Sequence, residues 1–186
     1  MVVLRAKCII VGNATVGKSA LTQVFHSDGS HFPKSYAMTI GVELCVKTVH
    51  IPETNDAVEL FLYDSAGKET FSDYVHQFWD QPSVTMVVFD VTNPDSFKSC
   101  NKWIERVRAA AGQDIPAVLV GNKIDLEGRR NLGSNTAEEY ANQKGIRYFE
   151  CSAKEQENVD APFYYLANEF YRLYQSKIEI MKTLSE

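Results

Sequence analysis

Apolar and polar positions along this chain follow two alternating rhythms, and the change between them lays out the elements. Leu4 to Val11 is a largely apolar run ending in Cys8-Ile9-Ile10-Val11, the pattern of a buried strand. Ala20, Leu21, Val24 and Phe25 then recur at helical spacing to about His26, where Asp28-Gly29 ends the pattern. A polar stretch holding Phe32, Tyr36 and Thr39 follows. Val42, Leu44 and Val46 alternate with Glu43, Cys45 and Lys47, which predicts a half-exposed strand. Val58, Leu60 and Leu62 alternate with Glu59, Phe61 and Tyr63 as its return, after Pro52 and the turn Glu53-Thr54-Asn55-Asp56. Such a pair reads as an antiparallel hairpin at a sheet edge, where one face can meet water.

Strand and helix signals then alternate to the end. Met86 to Phe89 and Ala117 to Val120 are continuous apolar runs, as buried parallel strands require. Pro94 opens a helix carrying Phe97, Cys100, Ile104 and Val107. Thr136 and Glu139 fit a capping box at the start of a helix that uses Ala137, Tyr140 and Ala141. Arg147 to Cys151 is the last strand, and a long helix starts around Pro162. The fold class predicted is α/β: a doubly wound, mostly parallel sheet with one antiparallel edge strand and ligand loops at the carboxyl ends of its strands. No linker or repeat divides it, so residues 1–186 read as one domain, with the C-terminal helix (about 161–184) running past the core.

Composition narrows the class. The 186 residues suffice for one well-buried domain, and 45% hydrophobic with 23% charged residues is ordinary for a globular protein. A net charge of −5 gives no general attraction to nucleic acid. Cys8, Cys45, Cys100 and Cys151 have no zinc-ligand spacing, and the four histidines form no metal constellation, so reduced buried thiols in a cytosolic protein are expected. Arg5 and Lys7 interrupt any signal-peptide pattern, and no apolar run approaches a membrane span. The last residues, Lys182 to Glu186, hold no cysteine, so no prenyl anchor and no direct lipid attachment is expected.

The chemistry concentrates at Gly12-Asn13-Ala14-Thr15-Val16-Gly17-Lys18-Ser19, between the first strand and the first helix. Gly12 and Gly17 let the backbone turn so that successive amides converge on phosphate oxygens, and the helix start adds its dipole. Lys18 is placed to reach the outer phosphates, and the Ser19 hydroxyl can ligate Mg²⁺. An ordinary glycine-containing turn leaves Lys18-Ser19 unexplained. After the third strand comes Asp64-Ser65-Ala66-Gly67, where the Asp can hold a Mg²⁺-bound water and Gly67 can offer its amide to a terminal phosphate. After Val120 comes Gly121-Asn122-Lys123-Ile124-Asp125. The Asn122 side chain can donate to and accept from a purine edge. The Asp125 carboxylate can accept from the two adjacent N–H donors that guanine has and adenine lacks. Ser152-Ala153-Lys154 supplies a second contact to the base.

These four motifs, in this order over nearly the whole chain, resemble the small GTPases of the Ras superfamily, and the Rab branch most. Thr39-Ile40-Gly41-Val42-Glu43 is similar to the Rab form of the first switch. The resemblance implies that Thr39 ligates Mg²⁺ and meets the γ-phosphate, that Phe32 packs against guanine, and that residues 32–41 and 67–78 are switches that GTP orders and GDP releases. Lys68 stands where the family carries its water-orienting glutamine. An ammonium only donates, so weak intrinsic hydrolysis is expected, and Ala14 crowds the same space. Lys18, Thr39, Gly67 and Lys68 are thus the catalytic positions. The stretch Asp64 to Glu69, Ser27-Asp28-Gly29, and Glu157-Asn158 with Ala161-Pro162-Phe163 resemble the Rab-like GTPase subunit of intraflagellar transport. That likeness implies a cytoplasmic and ciliary protein paired with a small β-sandwich subunit. Phe163, Leu166, Ala167, Phe170 and Leu173 form the stripe expected on the sheet. Tyr164, Tyr171, Ile178 and Met181 are the candidate partner surface, with Ile180 and Leu184 also beyond the core. The competing readings are a constitutively loaded scaffold without a working cycle, and a P-loop kinase or ATPase, against which Asp125 argues.

Overall fold

The computed structural model describes residues 1–184. Six strands form one sheet: β1 (Val3–Val11), β2 (Val42–His50), β3 (Ala57–Ser65), β4 (Val84–Asp90), β5 (Ala117–Asn122) and β6 (Arg147–Cys151). Their spatial order is β2-β3-β1-β4-β5-β6, with β2 antiparallel to β3 and the other pairs parallel. The period-2 pleat sends Cys8 and Ile10 to one face of β1, and Ile9 and Val11 to the other. Each face is covered. Helices α1 (Lys18–His26) and α6 (Asp160–Leu184) close the first through Phe25, Phe163 and Leu166. The second face is closed by α2 (Ser72–His76), α4 (Cys100–Ala111) and α5 (Ser134–Lys144), through Val75, Trp103 and Ala137.

Several expected boundaries shift for local reasons. The helix opened by Pro94 is two pieces, α3 (Pro94–Lys98) and α4, joined at Ser99, and Asn93 caps the first by accepting from the Asp95 and Ser96 amides. Helix α5 starts at Ser134 after Gly133, so Thr136 lies inside it and caps nothing. Helix α6 starts at Asp160, with Pro162 in its first turn. Its buried stripe ends sooner than the spacing predicts: Phe163, Leu166 and Ala167 are buried, whereas Leu173 is 45% exposed. In β2 the apolar set faces water. Leu44 and Val46 are exposed, while Cys45, Lys47 and Val49 turn inward, and the Lys47 ammonium lies 5.8 Å from the Phe25 ring centre.

The hairpin is tied to both terminal segments. Asp56 accepts from the Val2 amide at 2.6 Å and from the Tyr171 hydroxyl at 2.7 Å. Tyr171 is therefore half-buried, with its hydroxyl engaged by the hairpin.

Candidate nucleotide-binding site

The loop between β1 and α1 is held open by contacts on all sides. Gly12 has φ 142, and a Cβ there would stand 2.1 Å from the Val88 carbonyl oxygen, so only glycine fits. Lys18 is 6% exposed, and its ammonium donates to the Gly12 and Asn13 carbonyls at 2.9 Å each. Burial pushes this lysine down to about 8, with the nearby Asp64 charge opposing. Gly67 rides directly on the loop, since a Cβ there would meet the Ala14 nitrogen at 2.5 Å. A cleft of about 140 Å³ remains, walled by Ala14, Lys18, Ser19, Tyr36, Thr39 and Lys68.

Three oxygen-bearing side chains converge beside this cleft. The Ser19 hydroxyl donates to Asp64 Oδ2 and lies 3.1 Å from the Thr39 hydroxyl. Asp64 is 1% exposed, and its Oδ1 has no hydrogen-bond partner among the described residues. Burial lifts the carboxyl to about 6, against the pull of Ser19 and Lys18. A buried oxygen without a partner costs free energy that a hard cation or its bound water would recover. Two hydroxyls and this carboxylate are an all-oxygen set, so the residues present fit Mg²⁺, which Ser19, Thr39 and Asp64 would hold.

The base-side loops are built as rigidly. Asn122 is 2% exposed; its amide donates to the Val16 carbonyl at 2.9 Å, and its oxygen accepts from the Ala153 amide at 3.2 Å. It is a strut between three loops. Ser152 donates to Asp125 Oδ1 at 2.7 Å and so fixes the plane of that carboxylate, with Lys154 4.0 Å from Oδ2. Asp125, Lys154 and Ile124 line a second cleft.

A Ras family model matches residues 7–172. The chain belongs to the Ras family. Its relatives include the human "Intraflagellar transport protein 27 homolog", 52% identical over 186 residues, all of this chain and all of that protein. "Intraflagellar transport protein 27" of Chlamydomonas reinhardtii is 42% identical over 180 residues, covering 94% of this chain and 88% of its own length. Human "Ras-related protein Rab-30" is 35% identical over 161 residues, covering 87% and 77%.

Among the motif residues of this Ras-family chain, some face the clefts and others brace them. Asn13 points away: its amide donates to Ser99 at 3.1 Å and its oxygen accepts from Trp103 Nε1 at 2.9 Å, leaving only its backbone beside the cleft. Ser65 accepts from Trp79 Nε1 at 3.0 Å and is fully buried. Thr15, within the loop between β1 and α1, has φ 67, and Lys123, just after β5, has φ 69, so the backbone turns sharply at both. Val16 and Ala66 are buried spacers. Phe32 is exposed in the loop after α1 and lines neither cleft.

Sequence reading missed the braces. Asp90, at the end of β4, receives the Lys123 ammonium at 2.7 Å and the Thr92 amide and hydroxyl at 2.8 and 2.7 Å. Burial acts to raise this carboxyl, but those hydrogen bonds outweigh it and hold it below its ordinary value. Glu69, just after Lys68, pairs with Lys102 and Arg106 of α4 at 2.6 Å each. Val75 and Trp79 are buried, and the Trp79 ring meets Trp103 of α4, so this segment is anchored to α4. An acid at the end of a buried strand is a readable signal for Asp90; nothing in the sequence pairs Glu69 with residues so far along.

Asn122→Ala removes both ends of its strut and leaves the Val16 carbonyl and Ala153 amide unpaired. A loss of about 2 kcal/mol or more in the nucleotide-free protein is expected, read by urea unfolding. An unchanged midpoint would show that the loops hold without it.

Proposed function

We propose that this chain binds GTP and GDP with Mg²⁺ as a guanine-nucleotide switch with weak intrinsic hydrolysis. Within that reading it is a single nucleotide-binding domain serving as the Rab-like subunit of an intraflagellar transport assembly. The observation that carries the binding claim is the meeting of Ser19, Thr39 and the orphaned Asp64 oxygen beside the buried Lys18. Thr39 comes from the loop before β2, so a group that senses the outer phosphate reaches the same point as the phosphate loop itself. Asp125, oriented by Ser152, supplies the two-acceptor edge that suits guanine. The transport role rests on the relatives named above. It brings the expectation of a cytoplasmic and ciliary protein in a heterodimer with a small β-sandwich subunit. Tyr164, exposed on α6, is the clearest member of that partner surface; Ile178 lies half-buried further along, and Met181 is near the helix end.

In the bound state Lys18 and the loop amides hold phosphate oxygens, and Mg²⁺ supplies further charge neutralisation. What is lacking is an acceptor for the attacking water. Lys68 is exposed at the cleft and offers only donors. Single-turnover hydrolysis at or below the roughly 10⁻⁴ s⁻¹ of an unassisted Ras-type enzyme is expected, and Lys68→Gln should raise it. A parent rate ten times that scale would sink this account of Lys68.

The Glu69 anchorage favours a second reading, a scaffold permanently loaded with nucleotide. Limited proteolysis with GDP and with a nonhydrolysable GTP analogue separates the two, because a scaffold gives the same cleavage pattern with both.

A further inference from the structure

A polar bridge links the loop of Ser152 to Lys154 with the turn that ends α1. The Gln156 amide donates to the Gly29 carbonyl at 2.7 Å, across 127 positions of sequence. Both ends of the bridge are held in place. Ser152 and Glu157 exchange backbone hydrogen bonds of 3.0 and 2.9 Å, which closes residues 153–156 into a small loop. Gln156 sits in it with φ 59, and across the bridge Asp28 and Gly29 have φ 52 and 78. The Gly29 amide donates to the Val24 carbonyl at 2.9 Å. Lys47 of β2 grips the same turn through Asp28 Oδ1 at 2.6 Å and the His26 carbonyl at 3.3 Å. Non-glycine residues in left-handed backbone cost energy that surrounding contacts must offset, and here Gln156 on one side of the bridge and Asp28, next to the accepting Gly29, on the other are two such residues.

The two linked segments are the ones that matter for a base. The loop carrying Gln156 also carries Ser152, which orients Asp125. The turn carrying Gly29 leads within three residues to Phe32. We propose that Gln156 is a positioning residue, a clasp that slows nucleotide release by tying the base-reading loop to the segment that begins the first switch. The proposal rests on the guanine-nucleotide reading above. For a base to leave, these segments must part, and this hydrogen bond breaks first. The clasp shares no residue with the Ser19, Thr39 and Asp64 cluster, so it acts alike on di- and triphosphates and does not depend on Mg²⁺.

The test is release of fluorescent mant-GDP, and of a mant-labelled nonhydrolysable GTP analogue, from the full chain chased with excess unlabelled nucleotide, in Mg²⁺ and in EDTA. Gln156→Glu keeps the size but turns an acceptor towards the Gly29 carbonyl. Release about three- to tenfold faster is expected for both nucleotides and both conditions, the factor set by one lost hydrogen bond. Gln156→Lys restores a donor and should return release to within about twofold of the parent. Unchanged release in Gln156→Glu, or equal acceleration in both variants, overturns the clasp. Failure of the parent chain to bind mant-GDP overturns the nucleotide reading beneath it.

Discussion

Asp125→Asn is expected to convert the chain from a guanine binder to a xanthine binder. The carboxylate presents two acceptors, and guanine offers two adjacent donors. Charge-assisted hydrogen bonds of this kind are each worth about 1.5–3 kcal/mol, so losing one of the pair costs roughly tenfold to a hundred-and-fiftyfold in GTP affinity, and the lost charge on the other adds to it. Asparagine has the same shape, and its oxygen can still accept from Ser152, which now donates to Asp125 Oδ1 at 2.7 Å. The fold and the loop are therefore retained. What changes is that one acceptor becomes a donor, which suits the extra carbonyl of xanthine. Competition of GTP and XTP against a fluorescent nucleotide reads both effects. GTP affinity within threefold of the parent would remove Asp125 from the base contact.

The second large effect concerns Lys18, where binding and stability should part company. Lys18→Met is expected to weaken nucleotide affinity by about a hundredfold or more, because in the proposed bound state this buried ammonium would meet the outer phosphates. The nucleotide-free protein should unfold no earlier than the parent. Burial brings Lys18 down from 10.5 to about 8, which means that its charge is disfavoured by about 3 kcal/mol in the empty site. Methionine keeps the volume and removes that penalty. Against it stand the Gly12 and Asn13 carbonyls, which lose a donor at about 1 kcal/mol each. Isothermal titration and thermal unfolding measured side by side decide it. A variant that melts well below the parent would show that the lysine supports the empty loop as well as its ligand. In the parent, phosphate binding should therefore give an unusually large thermal shift, since it adds counter-charge to that which Asp64 already supplies beside the buried lysine.

The parts legible in the sequence are those with a local cause. Strands β4 and β5 announce themselves as unbroken apolar runs, because both their faces are covered. The phosphate loop is legible because its glycines and its Lys-Ser pair have no cheaper explanation. What is not legible comes from contacts between distant segments. Asn122 and Asn13 stand out by their motif positions, but nothing there announces the tertiary partners at Val16, Ala153, Ser99 and Trp103 that their side chains also meet. Leu44 and Val46 carry the apolar pattern of an inward face. The hairpin instead turns Cys45 and Val49 to the core, because β2 has only one neighbour and its register follows β3. Tyr171 reads as a surface aromatic until Asp56, 115 positions earlier, is brought beside it. Periodicity reports which side of an element is apolar; it carries no information about which distant oxygen waits there.

The double hold on Asp56 sets an order of events during synthesis. Val2 emerges from the ribosome early and finds Asp56 soon after, since 54 residues separate them. Tyr171 follows only after the whole sheet has been made, and α6 must then dock over β1 and β3 to deliver it. Until that moment Phe25 lacks Phe163, the ring it stacks on at 4.0 Å, and one face of the central strands stays open to water. A nascent chain paused before α6 should therefore behave as a client of chaperones, and its last helix acts as the cover that ends that dependence.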